Sequence, residues 1–435
     1  MVKIFSEYSS PRLLYTLDFI FQGILQEKYH IFDHVSDFEC IAGIAINYSD
    51  RDIPGALTIR PHSLLYETNI QSYFHIEVEK IDDKYFFFRT ADEGIIQHDI
   101  FASTFYLISR YEEYLNTNFD DHGRFPHTES LAFKNGFIQE PVVDQWIFYL
   151  KEILQTIYPK HSFKERKFQF LPSFDFDVPF RYKHKGWMRT LGAFIKDTFH
   201  ASKNFERIQV LMNLKPDPSD QFEYIIRICK ENKLNPTFFI LYSKLGRFDR
   251  SVYFKNKAYN KFLQRISTQV NLGIHPSYRS LDDPKQIKYQ KESLSKTIGI
   301  EIVYNRFHYI RMRLPHSYLH LLEAGIIHDF SMGYASISGF RAGTCTPFYF
   351  FNLEKNNKTN LFVLPFEIMD ATLQHYSKLS AHDAWNTMKD IITKIKKVEG
   401  LFIPVFHNDS LSDEGVWKNW RQVFEKMIQF CCKHD

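Results

Sequence analysis

Residues 171–180 read Leu171-Pro-Ser-Phe-Asp-Phe-Asp-Val-Pro-Phe180, an apolar run that ends in two carboxylates two positions apart. Alternation along a strand puts Asp175 and Asp177 on the same side if the extended conformation persists. Two acids at the end of a buried strand repel each other and lose solvation. Such a pair is stable where a cation neutralises it, or where one acid keeps its proton. The plainer alternative for an isolated D-x-D is a turn in which one Asp caps the next segment and the other is solvated. The rest of the chain decides between them.

From residue 167 onward, strand patterns at 167–175, 236–242, 268–274, 299–304, 325–330, 361–366 and 401–406 alternate with amphipathic helices near 218–232, 256–267, 283–297, 316–323 and 381–398. Asp217 before Pro218 and Ser380 before the last helix are the expected N-caps. Repeated βα units imply a largely parallel sheet. The fold class read from this rhythm is α/β, a distorted (β/α) barrel of about seven strands, preceded by a smaller α+β domain. Residues 1–163 form that first domain and 164–435 the barrel, with the charged stretch 161–167 as the linker. The first part shows short aromatic-rich strands without a regular βαβ rhythm. A helix over 99–115 carries Phe101, Phe105, Ile108 and Tyr111 on one stripe, and another covers about 141–157.

Composition is that of a folded chain of 435 residues, 44% hydrophobic and 24% charged, with room for two cores. Its 43 Phe and 25 Tyr suit either rich cores or clefts that stack on sugar rings. A net charge of +3 without a long Lys/Arg run gives no reason to expect a nucleic-acid partner. Five scattered cysteines (Cys40, Cys229, Cys345, Cys431, Cys432) without C-x-x-C argue against a disulfide framework and a thiolate zinc site. No stretch offers the ~20 uncharged apolar residues that span a bilayer, and the N-terminus lacks an export-type apolar region. A soluble, cytoplasmic protein is the expectation.

Polar groups gather just past the apolar runs. Asp175 and Asp177 follow the first, His275-Pro-Ser-Tyr-Arg-Ser280 the third, and Asn305-Arg-Phe-His-Tyr-Ile-Arg-Met-Arg-Leu-Pro315 the fourth. Asp329-Phe-Ser-Met-Gly-Tyr334 and Gly339-Phe-Arg-Ala-Gly-Thr344 come next, and His407-Asn408 ends the last strand. In (β/α) barrels chemistry collects at these strand ends. Oxygen and imidazole ligands without thiolate suit an open catalytic site for one divalent ion, zinc first, with Co, Ni, Fe or Mn as alternatives. A free carboxylate could then take a proton and a histidine could protonate a leaving group. Arg306, Arg311 and Arg313 read either as a solvated basic edge or as a clamp for an anionic group on the substrate. Asn408 is a candidate polar contact beside His407. His275, His308 and His407 each also have an ordinary reading as loop or packing histidines.

Ser173-Phe-Asp-Phe-Asp177 resembles the first motif, T-F-D-D, of polysaccharide deacetylases of the NodB-homology, carbohydrate esterase family 4-like type. Asn235-Pro-Thr-Phe-Phe-Ile240 is similar to their second strand. Val270-Asn-Leu-Gly-Ile-His275 is similar to the segment entering their H-[ST]-x-x-H motif, and Pro404-Val-Phe-His407 to their late strand. A bacterial subgroup with an uncharacterised N-terminal domain is resembled further by Ser109-Arg-Tyr-Glu-Glu-Tyr114, Asp121-His-Gly-Arg-Phe125 and Pro141-Val-Val-Asp144. In its catalytic half the resemblance rests on Arg306–Pro315, Asp329–Tyr334, Gly339–Thr344 and Phe406-His-Asn408, so it covers nearly the whole chain.

That resemblance implies hydrolysis of acetyl groups from sugars on a distorted (β/α) barrel with one divalent metal. It implies Asp175 as general base, Asp177 as metal ligand, His275 as the first histidine ligand, His407 as general acid and Arg341 as the residue holding Asp175. The second motif histidine falls at 279, where this chain has Arg279. His308, past the end of the next strand, is the replacement expected from position alone. The leading expectation is a metal-dependent hydrolase removing acyl, chiefly N-acetyl, groups from an amino sugar or glycan. A catalytically degenerate carbohydrate-binding or assembly protein on the same scaffold is the alternative, favoured by Arg279. An amidohydrolase acting on small C–N substrates is a third reading.

Overall fold

The computed structural model describes residues 1–39, 42–72, 75–197 and 201–433, so Cys40 lies outside the described residues. Two compact units emerge. The first comprises Met1–Gln169 together with Gly339–Pro365 and Thr393–Phe402; the second comprises Phe170–Ser338, Phe366–Ile392 and Ile403–Asp435. The chain thus leaves the first unit just past the charged stretch 161–167, and two later segments group with it.

The first unit holds a four-stranded sheet in the order Tyr29–Phe32, Val2–Phe5, Ile44–Asn47, Leu57–Thr58. All three pairings are parallel, so its first 60 residues do carry the βα rhythm that was not expected there. Val2–Phe5 and Ile44–Asn47 are buried at every position, Lys3 and Asn47 included, so neither alternates between a buried and an exposed face. The expected helix over 99–115 is two helices, Ile100–Ile108 and Tyr111–Leu115. They break at Arg110, whose φ of 56° lies in the left-handed region. Asp99 caps the first by accepting from the N–H groups of Phe101 and Ala102. The stripe Phe101, Phe105, Ile108 and Tyr111 is buried as expected, and Val142–Ile157 is the expected second helix.

The second unit is built on seven strands: β1 Ser173–Phe176, β2 Thr237–Ile240, β3 Asn271–Ile274, β4 Tyr304–Asn305, β5 His328–Asp329, β6 Ile368–Met369 and β7 Pro404–His407. Their order across the sheet is β5-β4-β3-β2-β1-β7-β6, and every pairing is parallel. The expected closed barrel is not what is seen: no strand pairing joins β5 to β6 among the described residues, so the parallel sheet is open. The chain bridges the gap by one backbone bond, Phe366 N–H to Met332 O at 3.1 Å. Gly333 makes that approach feasible, because a Cβ there would stand 2.5 Å from the Phe366 ring and 2.6 Å from its carbonyl oxygen. Among the described residues β6 pairs with β7 alone, at Ile368↔Pro404 and Met369↔Val405.

Helices Phe222–Glu231, Lys257–Ile266, Lys285–Ile298 and His316–Glu323 connect the strands, close to the expected bounds. Two expectations shift. The strand expected at 361–366 is Asn357–Val363, which pairs antiparallel with Phe348–Asn352 in the first unit. The parallel strand in its place is β6, a few residues later. Asp217 does not start a helix at Pro218; it accepts from the N–H groups of Arg181, Tyr182 and Lys183, and the helix begins at Phe222. Ser380 does cap its helix, with Asp383 N–H donating to its Oγ. Cys229, Cys345, Cys431 and Cys432 form no disulfide among the described residues.

Candidate metal centre

β1 delivers Asp175 and Asp177 to one place. Asp175 is the partner of His407 on β7 and of Phe239 on β2 in the sheet register. Asp177 follows one residue past the strand end. Both carboxylates face one imidazole: His275 Nε2 lies 3.3 Å from Asp177 Oδ1 and 3.7 Å from Asp175 Oδ2. His275 stands directly after β3, buried, and donates its Nδ1–H to the carbonyl of Arg306 at 2.6 Å. A carbonyl can only accept, so Nδ1 carries a proton and the ring turns its Nε2 toward Asp177.

His308, past the end of β4, repeats the arrangement from another side. Its Nδ1–H donates to Asp249 Oδ1 at 3.0 Å, and its Nε2 lies 3.4 Å from Asp177 Oδ2. Asp249 is itself held by the N–H of Tyr278, at 2.8 Å. Asp177 Oδ1 is buried and has no hydrogen-bond partner. Two ring nitrogens therefore converge on one carboxylate, an arrangement that a proton or a cation between them holds together. Asp177, His275 and His308 each offer one ligand atom, and these three lie within 4.8 Å of one another. The two imidazoles approach different oxygens of the one carboxylate, at 3.3 and 3.4 Å, so an ion could sit between the three side chains. The orphaned oxygen, the ring orientations fixed through Nδ1 and the O,N,N donor set fit a divalent ion, so the triad can hold a metal.

The electrostatics agree with the geometry. Burial alone would raise the Asp177 carboxyl, but His308 and His275 outweigh it and hold the group well below the usual carboxylate range. For His308 burial alone would lower the imidazole, yet Asp177 and then Asp249 push it up to about 9. In the ion-free protein it carries the positive charge that a metal would otherwise supply.

On the neighbouring strand His407 receives a different support. Its Nδ1 lies 2.7 Å from Asp370 Oδ1, its backbone N–H donates to Asp370 Oδ2 at 2.7 Å, and its Nε2 points to Asp177 Oδ2 at 3.7 Å. Burial works against the charged ring, but Asp370 prevails and raises it well above its ordinary value. Asp370 comes directly after β6.

Several expected residues take other places. Arg341, expected to hold Asp175, instead makes a two-pronged pair with Glu113 in the first unit, at 2.9 and 2.7 Å. Asp175 is held by Arg306, whose Nη1 donates to Oδ1 at 2.9 Å. Its other donors go to Ser173 Oγ and the Phe330 carbonyl, while its guanidinium lies 4.3 Å over the Phe239 ring. Fully buried, Arg306 turns its donors to Asp175, Ser173 and Phe330 within the protein. Asn408 is likewise buried; its amide donates to the carbonyls of Val178 and Ser219, tying the end of β7 to the connection after β1. Arg313 is half-buried, and its main chain brackets Ser317 at the start of the next helix. Arg279 is exposed on a short turn, Tyr278–Leu281, that leaves the site, so its position offers no ligand.

Sequence reasoning missed Asp249 and Asp370, the two carboxylates that orient histidines. Asp370 ends an apolar run, Phe366-Glu-Ile-Met-Asp370, the same signal that marks Asp175. Asp249 lies in a polar loop after β2 with no distinguishing pattern.

Comparison with known proteins adds the following. A family model described as "Family of unknown function (DUF7033)" matches residues 2–159. No curated protein matches the chain. Among solved structures, one described as "putative polysaccharide deacetylase from Mycobacterium smegmatis" is similar at 15% identity and a TM-score of 0.41, over 63% of this chain and 87% of that one. Puue allantoinase is similar at 10% identity and a TM-score of 0.39, over 62% and 86%. A structure described as "probable Polysaccharide deacetylase from Pseudomonas aeruginosa PAO1" is similar at 11% identity and a TM-score of 0.40, over 62% and 86%. The chain is a mixed α/β protein with a large parallel sheet, and its similarity to these structures extends over about three-fifths of its length.

Proposed function

We propose that the protein is a metal-dependent hydrolase that removes acyl groups, first of all N-acetyl, from an amino sugar or glycan. The observation that carries this reading is the convergence of Asp177, His275 and His308 on one point, with Asp175 and His407 against it. A divalent ion held by the triad supplies a Lewis acid that polarises an acyl carbonyl and makes water a stronger acid. Asp175, fixed by Arg306, takes the proton of the attacking water. The water oxygen bonds to the acyl carbon, and the C–N bond breaks as His407 gives its proton to the departing amine. Asp370 serves this step by keeping the His407 ring charged with Nε2 turned toward the reacting atoms.

A sugar substrate is supported by an aromatic wall beside His308. Phe248 stacks on Tyr278 at 4.1 Å, and Tyr309 stands edge-on to Tyr278 at 5.4 Å and 4.7 Å from His308. In this reading zinc is the ion, residues 164–435 are the catalytic domain on a distorted barrel, residues 1–163 are an accompanying α+β domain, and the compartment is the cytoplasm. The non-catalytic alternative rested on Arg279; His308 restores the count of ligand atoms that Arg279 removed.

The test is acetate release by the metal-loaded protein from a panel of acetylated amino sugars and glycans, with and without a chelator. Release that the chelator abolishes, and that Asp177→Ala eliminates together with bound metal, is the expected result. Stoichiometric metal without any acetate from the whole panel overturns the catalytic reading and leaves the binding one.

A further inference from the structure

The connection that leaves β1 after Asp177 does not run straight to the next helix. It first forms a pair of helices, Trp187–Lys196 and Ala201–Leu211. In both, the apolar stripe points away from the protein. Trp187, Met188, Leu191 and Ile195 share one face by their spacing, and their exposure runs from 53% to 75%. Arg189, Thr190 and Ala193, on the other side of that helix, are half-buried, and Arg189 donates to the carbonyl of Ser251. Phe205, Ile208 and Met212 repeat the pattern at 44% to 64% exposure, while Arg207 and Val210 are buried. A helix folded against its own core does the reverse.

These helices are not loose ends. Arg207 pairs with Asp197 at 2.6 Å and lies 4.9 Å over the Phe194 ring, which locks one helix to the other. Asp217 clamps three consecutive backbone N–H groups at the base, and Asn256 donates to the His184 carbonyl. The apolar face is held in place outward. Charge surrounds it: residues 181–215 carry eight Lys or Arg against two Asp or Glu, in a chain whose total is only +3. The rest of the chain is therefore net negative, and the positive surplus is concentrated on this one segment, with Lys196 and Lys203 exposed.

We propose that this helical pair is a docking surface for an anionic phospholipid bilayer, lying in the headgroup region with Trp187, Leu191, Ile195, Phe205 and Met212 inserted. An outward Trp, Leu, Ile, Phe and Met ridge flanked by lysines is the chemistry of interfacial helices, and the basic surplus matches a negative lipid surface. No helix among the described residues is long and apolar enough to cross a membrane; the attachment proposed is through this ridge alone. The inference is independent of the chemistry proposed at Asp177.

The test is flotation of the full chain with phosphatidylcholine vesicles, with and without phosphatidylglycerol. The wild type should float with the anionic vesicles and stay behind with the neutral ones. Leu191→Ser/Ile195→Ser/Phe205→Ser and, separately, Lys196→Glu/Lys203→Glu should each cut the bound fraction about tenfold. The second variant leaves the apolar ridge intact, and unchanged melting of either shows that the loss is not unfolding. Wild-type protein that stays in the aqueous layer with both vesicles overturns the proposal. So does a dimer that the serine variant splits and that excludes vesicles, because a second copy would then be the occupant of this face.

Discussion

His308 makes the stability of the metal-free protein depend on pH in a defined window. Its imidazole is buried between Asp177 and Asp249, which push it up to about 9 from an ordinary 6.5. At ~1.4 kcal/mol per pH unit the proton on His308 stabilises the fold by about 3 kcal/mol. The folded value is the higher one, so this contribution is fully present below the unfolded value and is lost as pH rises through 9. Asp177 does not oppose it there, since that carboxyl is held well below its usual range and stays ionised. A divalent ion takes the place of the proton, so the metal-loaded protein should show no such loss. One proton must leave His308 for each ion bound, and affinity should climb about tenfold per pH unit between roughly 7 and 9, then flatten. Urea denaturation from about pH 6 to about pH 10, with and without zinc, measures the first effect. Calorimetry in buffers of different ionisation enthalpy measures the second. A metal-free midpoint that is flat across that range, or binding near neutrality without proton release, would refute the reasoning.

Asp249→Asn should weaken metal binding by about 10–100-fold with the fold intact, because it removes only the carboxylate that orients His308; competition against a chelating dye reads this. Arg306→Met should cost about 3–5 kcal/mol in denaturant unfolding, since it leaves Asp175 buried without a counter-charge, and adding Asp175→Asn should recover a large part of it. His407→Gln should lower acetate release by about 10²–10⁴-fold while leaving metal stoichiometry unchanged, and Asp370→Asn should act in the same direction through the ring it holds.

Most of the sheet was legible because each β strand of the second unit carries a short apolar run followed by a polar group, and that boundary survives without knowledge of the tertiary structure. The same signal found Asp175, Asp177, His275, His308 and His407. What it could not give was partner choice among like residues. Arg306 and Arg341 both follow apolar segments, and only the folded chain shows that one reaches Asp175 and the other Glu113. Asp370 was hidden by placing its strand a few residues early, where an aromatic hairpin strand gives a stronger β pattern than the two residues of β6. The helical stripe around Trp187 illustrates a second limit. Periodicity reports that a face is apolar, not whether it turns toward the core or away from it.

The two-residue β6 also shapes how the site can vary. Histidines 275 and 308 follow strands with neighbours on both sides, whereas Asp370 hangs from the last strand of its row, gripped by β7 alone. On the function proposed, the cage for an ion is consequently stiff and the mount of the proton donor compliant. A scaffold so divided would, over its history, accept new departing groups more readily than a new kind of ion.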